Sequence, residues 1–181
     1  NFDDEKYERA YFASGCFWCV ETIYESVKGV EEVFSGYSGG HTKNPTYESS
    51  NTGRTGHAEV AQVIYDESII SFEELLEVFW FVHDPTTLNR QGNDIGDQYR
   101  SVIFYHDDSQ KEVAESYKQK LTEENVWEDP IVTLIEPINN FYPAEDYHKN
   151  YFNNNNDEPY CRAVVRPKVD KFKSVFSQKL K

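Results

Sequence analysis

The order of apolar and polar positions in the amino-terminal part of the chain predicts three strands and one helix. Residues 9–13 and 29–37 are typical of strands, and residues 20–27 between them fit a helix. A long polar loop ends at Gly56, and the apolar run at residues 58–65 predicts the third strand. The expected order is therefore strand, helix, strand, strand.

The middle of the chain carries a second helix signal and a fourth strand. Ser71 and Glu74 have the spacing of a capping box, in which each side chain accepts a hydrogen bond from the backbone of the other. The apolar residues that follow lie on one helical face: Phe72, Leu75, Leu76, Phe79 and Val82. Residues 101–105 then predict the fourth strand.

The elements after the fourth strand are shorter and more polar. Ser109 and Glu112 have the spacing of a second capping box, which predicts a helix through about Leu121. We expect a further strand at residues 132–135 and a short helix at about residues 144–151.

The element order βαββαβ is the split arrangement of ferredoxin-like α+β folds. We expect a two-layer sandwich in which helices cover a mixed sheet, with long loops between the elements. An asparagine tract and prolines near the end predict an irregular carboxyl-terminal segment over about residues 152–181. The length of 181 residues fits a single domain, residues 1–181, with its core at about residues 8–151.

The charge balance is strongly acidic, with 32 Asp and Glu residues against 18 Lys and Arg residues and a formal net charge of −14. Such a surface repels phosphate backbones and anionic lipids, so we expect no nucleic acid and no membrane partner. No stretch of the sequence has the apolar length of a membrane span. We expect a cytoplasmic monomer, while the start at Asn1 leaves open a targeting segment removed upstream.

Two cysteines lie three positions apart in the sequence Gly15-Cys16-Phe17-Trp18-Cys19, where the first strand meets the first helix. Unpaired N–H groups and the helix dipole favour a thiolate at such a corner, which predicts that Cys16 is a nucleophile. The total of three cysteines is odd and argues against a static disulfide framework. The alternative is that Cys16 and Cys19 are small buried core residues.

Six motifs in order along the chain resemble those of the class A peptide-methionine sulfoxide reductases. They lie at residues 15–18, 36–40, 44–47, 55–59, 91–100 and 141–148. The last of them has the sequence Phe-Tyr-Pro-Ala-Glu-Asp-Tyr-His. The resemblance covers most of the chain, from about Ala13 to Cys161.

The resemblance implies an enzyme that reduces the S epimer of methionine sulfoxide, both as the free amino acid and in oxidised proteins and peptides. Cys16 matches the family's nucleophile, and Phe17 and Trp18 match the wall that holds the substrate methyl group. Glu59 matches the general acid that protonates the sulfoxide oxygen. A glutamate does this near neutral pH only where burial raises its pKa.

The resemblance also assigns roles to three tyrosines and one aspartate. Tyr47 and Tyr99 match the donors of hydrogen bonds to the sulfoxide oxygen, and Tyr151 matches a further substrate-binding tyrosine beside the pocket. Asp94 matches a supporting acid. The implied site has no metal and no bound cofactor.

After oxygen transfer Cys16 would be a sulfenic acid, which condenses with a thiol to a disulfide. Cys161 matches the resolving cysteine of many family members, whereas Cys19 replaces the glycine that is commoner at its position. Either thiol is a candidate, and we favour Cys161. The resemblance implies that thioredoxin, an external dithiol, then reduces the disulfide.

Two other functions fit parts of the sequence. A thioredoxin-like disulfide oxidoreductase would use Cys16 and Cys19 and would have no need of Glu59. A non-enzymatic zinc or peptide-binding module would use the three cysteines and one histidine, such as His148, as ligands.

Overall fold

The computed structural model describes residues 6–149, 151–155 and 157–181. The strands are β1 (Tyr7–Ser14), β2 (Val30–Ser38), β3 (Ala58–Asp66), β4 (Arg90–Gln91), β5 (Asp94–Ile95), β6 (Ser101–Tyr105), β7 (Leu134–Pro137) and β8 (Tyr142–Pro143). The α-helices are α1 (Phe17–Glu25), α2 (Tyr47–Ser50), α3 (Phe72–Val82), α4 (Asp108–Glu123), α5 (Tyr151–Asn154) and α6 (Arg166–Val175).

Six of these strands form one mixed sheet in the order β7-β6-β1-β3-β2-β8. Its neighbours are antiparallel except for β6 and β7, which are parallel. The four central strands, with α1 after β1 and α3 after β3, have the predicted ferredoxin-like arrangement. The expected α+β fold with a mixed sheet is confirmed, and β4 and β5 form a separate small hairpin.

The two faces of the sheet carry separate hydrophobic clusters because side chains alternate along each strand. Phe12 faces the helices, where its ring lies 5.3 Å from that of Tyr24 in α1 and 5.5 Å from that of Phe79 in α3. Tyr11 belongs to the smaller cluster on the other face, where the ring of Phe141 lies 5.7 Å from it. The helices therefore form one layer against the sheet.

The prediction for α3 is confirmed both at its start and along its length. Ser71 Oγ accepts a hydrogen bond from the N–H of Glu74 at 3.1 Å, and Glu74 Oε1 accepts one from the N–H of Ser71 at 3.3 Å. The predicted apolar face packs in or against the core through Phe72, Leu75, Leu76, Phe79 and Val82.

The start predicted for α4 is wrong by two residues. Asp107, not Ser109, caps this helix, and its carboxylate accepts a hydrogen bond from the N–H of Gln110 at 2.8 Å. Gln110 then accepts a hydrogen bond from the N–H of His106 at 3.0 Å. Aspartate caps a helix as well as serine does. Because the helix begins at Asp108, Asp107 occupies the capping position and Ser109 lies within the first turn.

The carboxyl-terminal segment is largely helical, contrary to the irregular backbone that we predicted for it. A π-helical turn over Cys161–Val165 leads directly into α6. Pro167 lies in the first turn of α6, directly after the π-helical turn. Val169 and Phe172 bury the inner face of this helix in the main core.

Two further local predictions need correction. The short helix expected at residues 144–151 is a 3₁₀ turn over Asp146–His148, and α5 begins at Tyr151. The polar loop before β3 contains α2. This helix has four residues and is too short to produce a helical periodicity in the sequence. Among the helices that the structure describes, none is long and apolar enough to cross a bilayer.

Candidate active site

Cys16 lies at the corner where β1 gives way to α1. Gly15 makes the turn with a φ of +97°, and a Cβ at this position would come within 2.7 Å of the Gln91 side chain. The Cys16 carbonyl accepts hydrogen bonds from the N–H groups of Cys19 at 3.2 Å and Val20 at 3.4 Å, so the residue caps the helix. The predicted strand-to-helix corner is present.

The thiol of Cys16 is buried, with 5% of the residue exposed. Burial and the contact with Cys19 raise its pKa, and together they outweigh the N–H of Trp18 and the hydroxyl of Tyr160, which favour the thiolate. The burial of Cys16 therefore opposes the thiolate that we expected the helix start to favour. The cost of removing a charge from water exceeds the stabilisation at the helix end.

Glu59 projects from the start of β3 and is 1% exposed. Its Oε1 accepts a hydrogen bond from the N–H of Phe17 at 3.1 Å, while Oε2 has no hydrogen-bond partner among the described residues. Burial raises the pKa of this carboxyl well above its usual range, and a thiolate at Cys16 would raise it further. Burial therefore favours the protonated carboxyl at Glu59, next to the Cys16 thiol.

An aromatic wall formed by Phe17 and Trp18 lies beside this pair. The Trp18 ring stacks on Tyr151 with centroids 3.9 Å apart and an angle of 10°, and it lies 5.6 Å from Tyr47. The hydroxyl of Tyr151 donates to Glu158 at 2.7 Å, which raises the pKa of Tyr151 to about 12. Tyr151 therefore contributes its ring to the wall.

Asp94 and Tyr99 reach the same region from the loop that contains the β4–β5 hairpin. Oδ2 of Asp94 accepts a hydrogen bond from the Tyr160 hydroxyl at 2.5 Å. Tyr99 ends a 3₁₀ turn, and burial together with the charge of Glu59 raises its pKa. It remains a neutral phenol that can donate a hydrogen bond.

The three cysteines are free thiols, and all are buried. Cys19 is hydrogen-bonded to Cys16, and this contact lowers the pKa of Cys19, with a further contribution from the positive charge of Lys168. Cys161 begins the π-helical turn, and burial, Glu158 and Cys16 raise its pKa. Both candidate resolving thiols therefore lie within electrostatic range of Cys16.

The zinc alternative finds no support in this arrangement. Within the part of the chain that the structure describes, the one group of potential metal ligands consists of Glu8, His106 and Asp107, away from the cysteines. His148 is engaged elsewhere, since its Nδ1 accepts a hydrogen bond from Trp18 Nε1 at 2.9 Å.

A cysteine and a buried glutamate with a raised pKa beside an aromatic wall are parts that sulfoxide reduction requires, and comparison with known proteins agrees. The family model "Peptide methionine sulfoxide reductase" matches residues 8–180. The chain belongs to the peptide methionine sulfoxide reductase family.

Relatives of this family match the chain over nearly its full length. The peptide methionine sulfoxide reductase MsrA of Natronomonas pharaonis is 52% identical over 171 residues, which cover 94% of this chain and 96% of the relative. The crystal structure of reduced Mxr1 from Saccharomyces cerevisiae is 36% identical, has a TM-score of 0.78, and aligns over 89% of this chain and 92% of Mxr1. A structure of Mxr1 in complex with Trx2 is 29% identical, with a TM-score of 0.55 and coverage of 83% and 88%.

The structure adds two residues to this reductase site that sequence reasoning missed. His148 orients Trp18 through its Nδ1, and its ring lies 4.8 Å from that of Tyr47. Glu145 accepts hydrogen bonds from the N–H of Tyr47 at 3.1 and 3.2 Å. Both belong to the motif at residues 141–148, but the motif does not reveal which side chains they contact.

Proposed function

We propose that Cys16 attacks the sulfoxide sulfur of methionine sulfoxide while Glu59 protonates the sulfoxide oxygen. The observation that carries this assignment is the buried, unpaired Oε2 of Glu59 beside the Cys16 thiol. An exposed or fully paired carboxyl would give no protonated oxygen that faces a substrate. The unpaired position supports a substrate oxygen as its missing partner.

The reaction moves one oxygen atom and two electrons between two sulfur atoms. The electron pair of the Cys16 thiolate forms a bond to the sulfoxide sulfur while Glu59 protonates the sulfoxide oxygen. The resulting hydroxyl group then moves to the Cys16 sulfur as the S–S bond and the substrate S–O bond break. The substrate sulfur leaves as the thioether of methionine, so it is reduced while Cys16 is oxidised to a sulfenic acid. No cofactor is needed for this exchange.

The aromatic residues would orient the sulfoxide during this attack. Phe17 and Trp18 offer apolar ring faces to the methyl group, and the sulfur–aromatic contact is favourable. Tyr47 and Tyr99 would donate hydrogen bonds to the oxygen, which is consistent with the neutral state that burial imposes on Tyr99. Tyr151 would extend the wall by its stacking on Trp18.

The sulfenic acid would then react with a second thiol to give a disulfide and water. The hydrogen bond between Cys16 and Cys19 supports Cys19 as this thiol, whereas the position of Cys161 directly after Tyr160 supports Cys161. We propose that either thiol resolves Cys16, and that Cys19 passes the disulfide outward when Cys161 acts first. Mass mapping of the disulfide after one turnover identifies the pair, and a persistent sulfenic acid contradicts the assignment.

An external dithiol has to restore the reduced enzyme, and we propose thioredoxin for this step. The structure of Mxr1 with Trx2 supports this choice for a homologue. Three free thiols fit a reducing compartment such as the cytoplasm. We propose both free methionine sulfoxide and oxidised proteins and peptides as substrates.

The test of this function is turnover of the separated sulfoxide epimers with thioredoxin as the reductant. The wild-type enzyme is expected to reduce the S epimer, and Cys16→Ser is expected to release no methionine because serine is a far weaker nucleophile. A thioredoxin-like oxidoreductase would instead reduce a disulfide substrate and leave both epimers unchanged. That result would contradict the proposal.

A further inference from the structure

The proposed attack needs an acceptor for the proton of the Cys16 thiol. Burial keeps this thiol protonated at rest. Burial favours the protonated form of Glu59, which serves the proposed reaction as the acid and not as the acceptor of the thiol proton. A second acid–base group must therefore lie within hydrogen-bond reach of the sulfur.

Tyr160 connects Cys16 to such a group. Its hydroxyl is hydrogen-bonded to the Cys16 side chain and donates to Oδ2 of Asp94 at 2.5 Å. A phenol has a single proton to donate, and its oxygen also accepts. While Cys16 is a thiol, that proton is directed to Asp94 and the thiol is the donor to Tyr160; once Cys16 is a thiolate, the Tyr160 hydroxyl donates to the sulfur, and this contact lowers the pKa of Cys16.

We propose that Tyr160 and Asp94 form a proton relay that deprotonates Cys16, which makes Tyr160 a further catalytic residue. The thiol proton moves to the Tyr160 oxygen while the phenol proton moves to Oδ2 of Asp94. The S–H bond and the original O–H bond break, and one O–H bond forms at each oxygen. The products are the Cys16 thiolate, neutral Tyr160 and protonated Asp94, and no electron is transferred.

The surroundings hold the three groups of the relay in place. The Tyr160 ring meets Trp18 edge-on, with centroids 5.8 Å apart and an angle of 77°. Asp94 lies in β5, opposite Gln91 of β4, and the Gln91 side chain packs against Gly15 next to Cys16. Burial raises the pKa of Tyr160, so its hydroxyl passes a proton on without remaining ionised.

Cys19 is the rival acceptor, because it is the other side chain hydrogen-bonded to Cys16. A thiolate at Cys19 would take the proton of Cys16 directly, without Tyr160 or Asp94. The experiment therefore has to separate these two routes. The relay proposal rests on the proposed function, which the wild-type enzyme tests in the same measurement.

The experiment measures the rate of methionine release in a single turnover without reductant, from pH 6 to 9. Tyr160→Phe keeps the ring against Trp18 and removes the relay oxygen. We expect a loss of about 100-fold at pH 6 that shrinks to about threefold at pH 9, where hydroxide removes the thiol proton. Asp94→Asn is expected to give a similar loss, and the double variant no more than either single variant.

The control is Tyr105→Phe, which removes the hydroxyl of a half-buried tyrosine in β6 and is expected to change nothing. A loss in Tyr160→Phe that is equal at every pH, or losses that add in the double variant, would overturn the relay. In a Cys19→Ser background the effect of Tyr160→Phe is expected to persist, and its disappearance would assign the proton to Cys19. Absence of methionine release from the wild-type enzyme would contradict the proposed function instead.

Discussion

Cys16 and Glu59 lie at the ends of two neighbouring sheet strands, whereas Tyr47, Asp94 and Tyr160 lie on short segments outside the main sheet. β1 and β3 are antiparallel, so the end of β1 lies beside the beginning of β3. The backbone hydrogen bonds of the sheet hold the two reacting groups in register. The separation of the proposed nucleophile and acid therefore depends on the hydrogen-bonded pairing of β1 and β3.

The segments outside the sheet depend instead on individual side-chain hydrogen bonds. Glu145 holds the N–H of Tyr47, and Asp94 holds the hydroxyl of Tyr160. Each such contact is worth far less than a strand ladder, and removing one frees a whole segment. The comparison teaches that the proposed nucleophile and acid are fixed by the sheet, while the groups proposed to orient the substrate are fixed by single hydrogen bonds.

The largest effect is expected for Glu59, the proposed acid at the start of β3. Glu59→Gln keeps the acceptor for the N–H of Phe17 but removes the acidic proton, so kcat/KM for a methionine sulfoxide peptide should fall by about 1,000-fold. Glu21→Gln is the matched control, because Glu21 is another buried carboxyl, hydrogen-bonded to Ser35 at 2.9 Å. A loss of less than tenfold in Glu59→Gln would contradict the role of Glu59.

The next effect concerns stability rather than activity. Burial raises the pKa of Glu59 above its usual value of 4.5, so the folded state holds a proton that the unfolded state releases. Unfolding free energy should therefore fall as the pH rises above 4.5, by up to about 1.4 kcal/mol per pH unit from this group. Glu59→Gln should remove this slope in urea unfolding measured from pH 5 to 8, and an unchanged slope would argue against a protonated Glu59.

A smaller effect is expected where one side chain anchors a segment outside the sheet. Glu145→Ala frees the N–H of Tyr47 and should lower kcat/KM by about tenfold, because the hydroxyl donor loses its fixed position. Glu145→Gln keeps one acceptor oxygen and should lose less. Equal losses in the two variants, measured with the same peptide, would show that the charge of Glu145 matters more than its hydrogen bond.

The smallest effect is expected at the N-terminal cap of α4. Asp107→Ala removes the cap of α4 and should lower the free energy of unfolding by about 1 kcal/mol, with kcat/KM unchanged at 25 °C. Ser109→Ala removes a side chain inside the first turn and should change it by less than about 0.5 kcal/mol. A larger loss in Ser109→Ala than in Asp107→Ala would support the capping box that we predicted at Ser109 and Glu112.

The sheet half of the molecule was largely predictable. Alternating apolar residues marked β1, β2, β3 and β6, and glycine before Cys16 marked the corner. The position of Glu59 at a strand start was also predictable, but its burial was not. An acidic residue at a strand end is ordinarily exposed, and only the motif around it suggested otherwise.

The arrangement of the segments outside the sheet could not be predicted, because their contacts join residues far apart in the sequence. Tyr160 and Asp94 are 66 positions apart, and Trp18 and His148 are 130 apart. Local patterns carry no information on such pairs. The helix α6 was missed for a different reason, since prolines suggested a break and concealed the spacing of Val165, Val169 and Phe172, which are buried.

The borders of the sheet have a consequence for an enzyme whose clients include damaged polypeptides. An exposed strand is a template to which an unfolded chain adds by backbone pairing, and this leads to aggregation. Here the outermost strands, β7 and β8, are four and two residues long, and each ends in a proline, Pro137 or Pro143. Proline has no backbone N–H, so an unfolded substrate polypeptide finds few backbone groups for hydrogen bonding at either edge of the sheet.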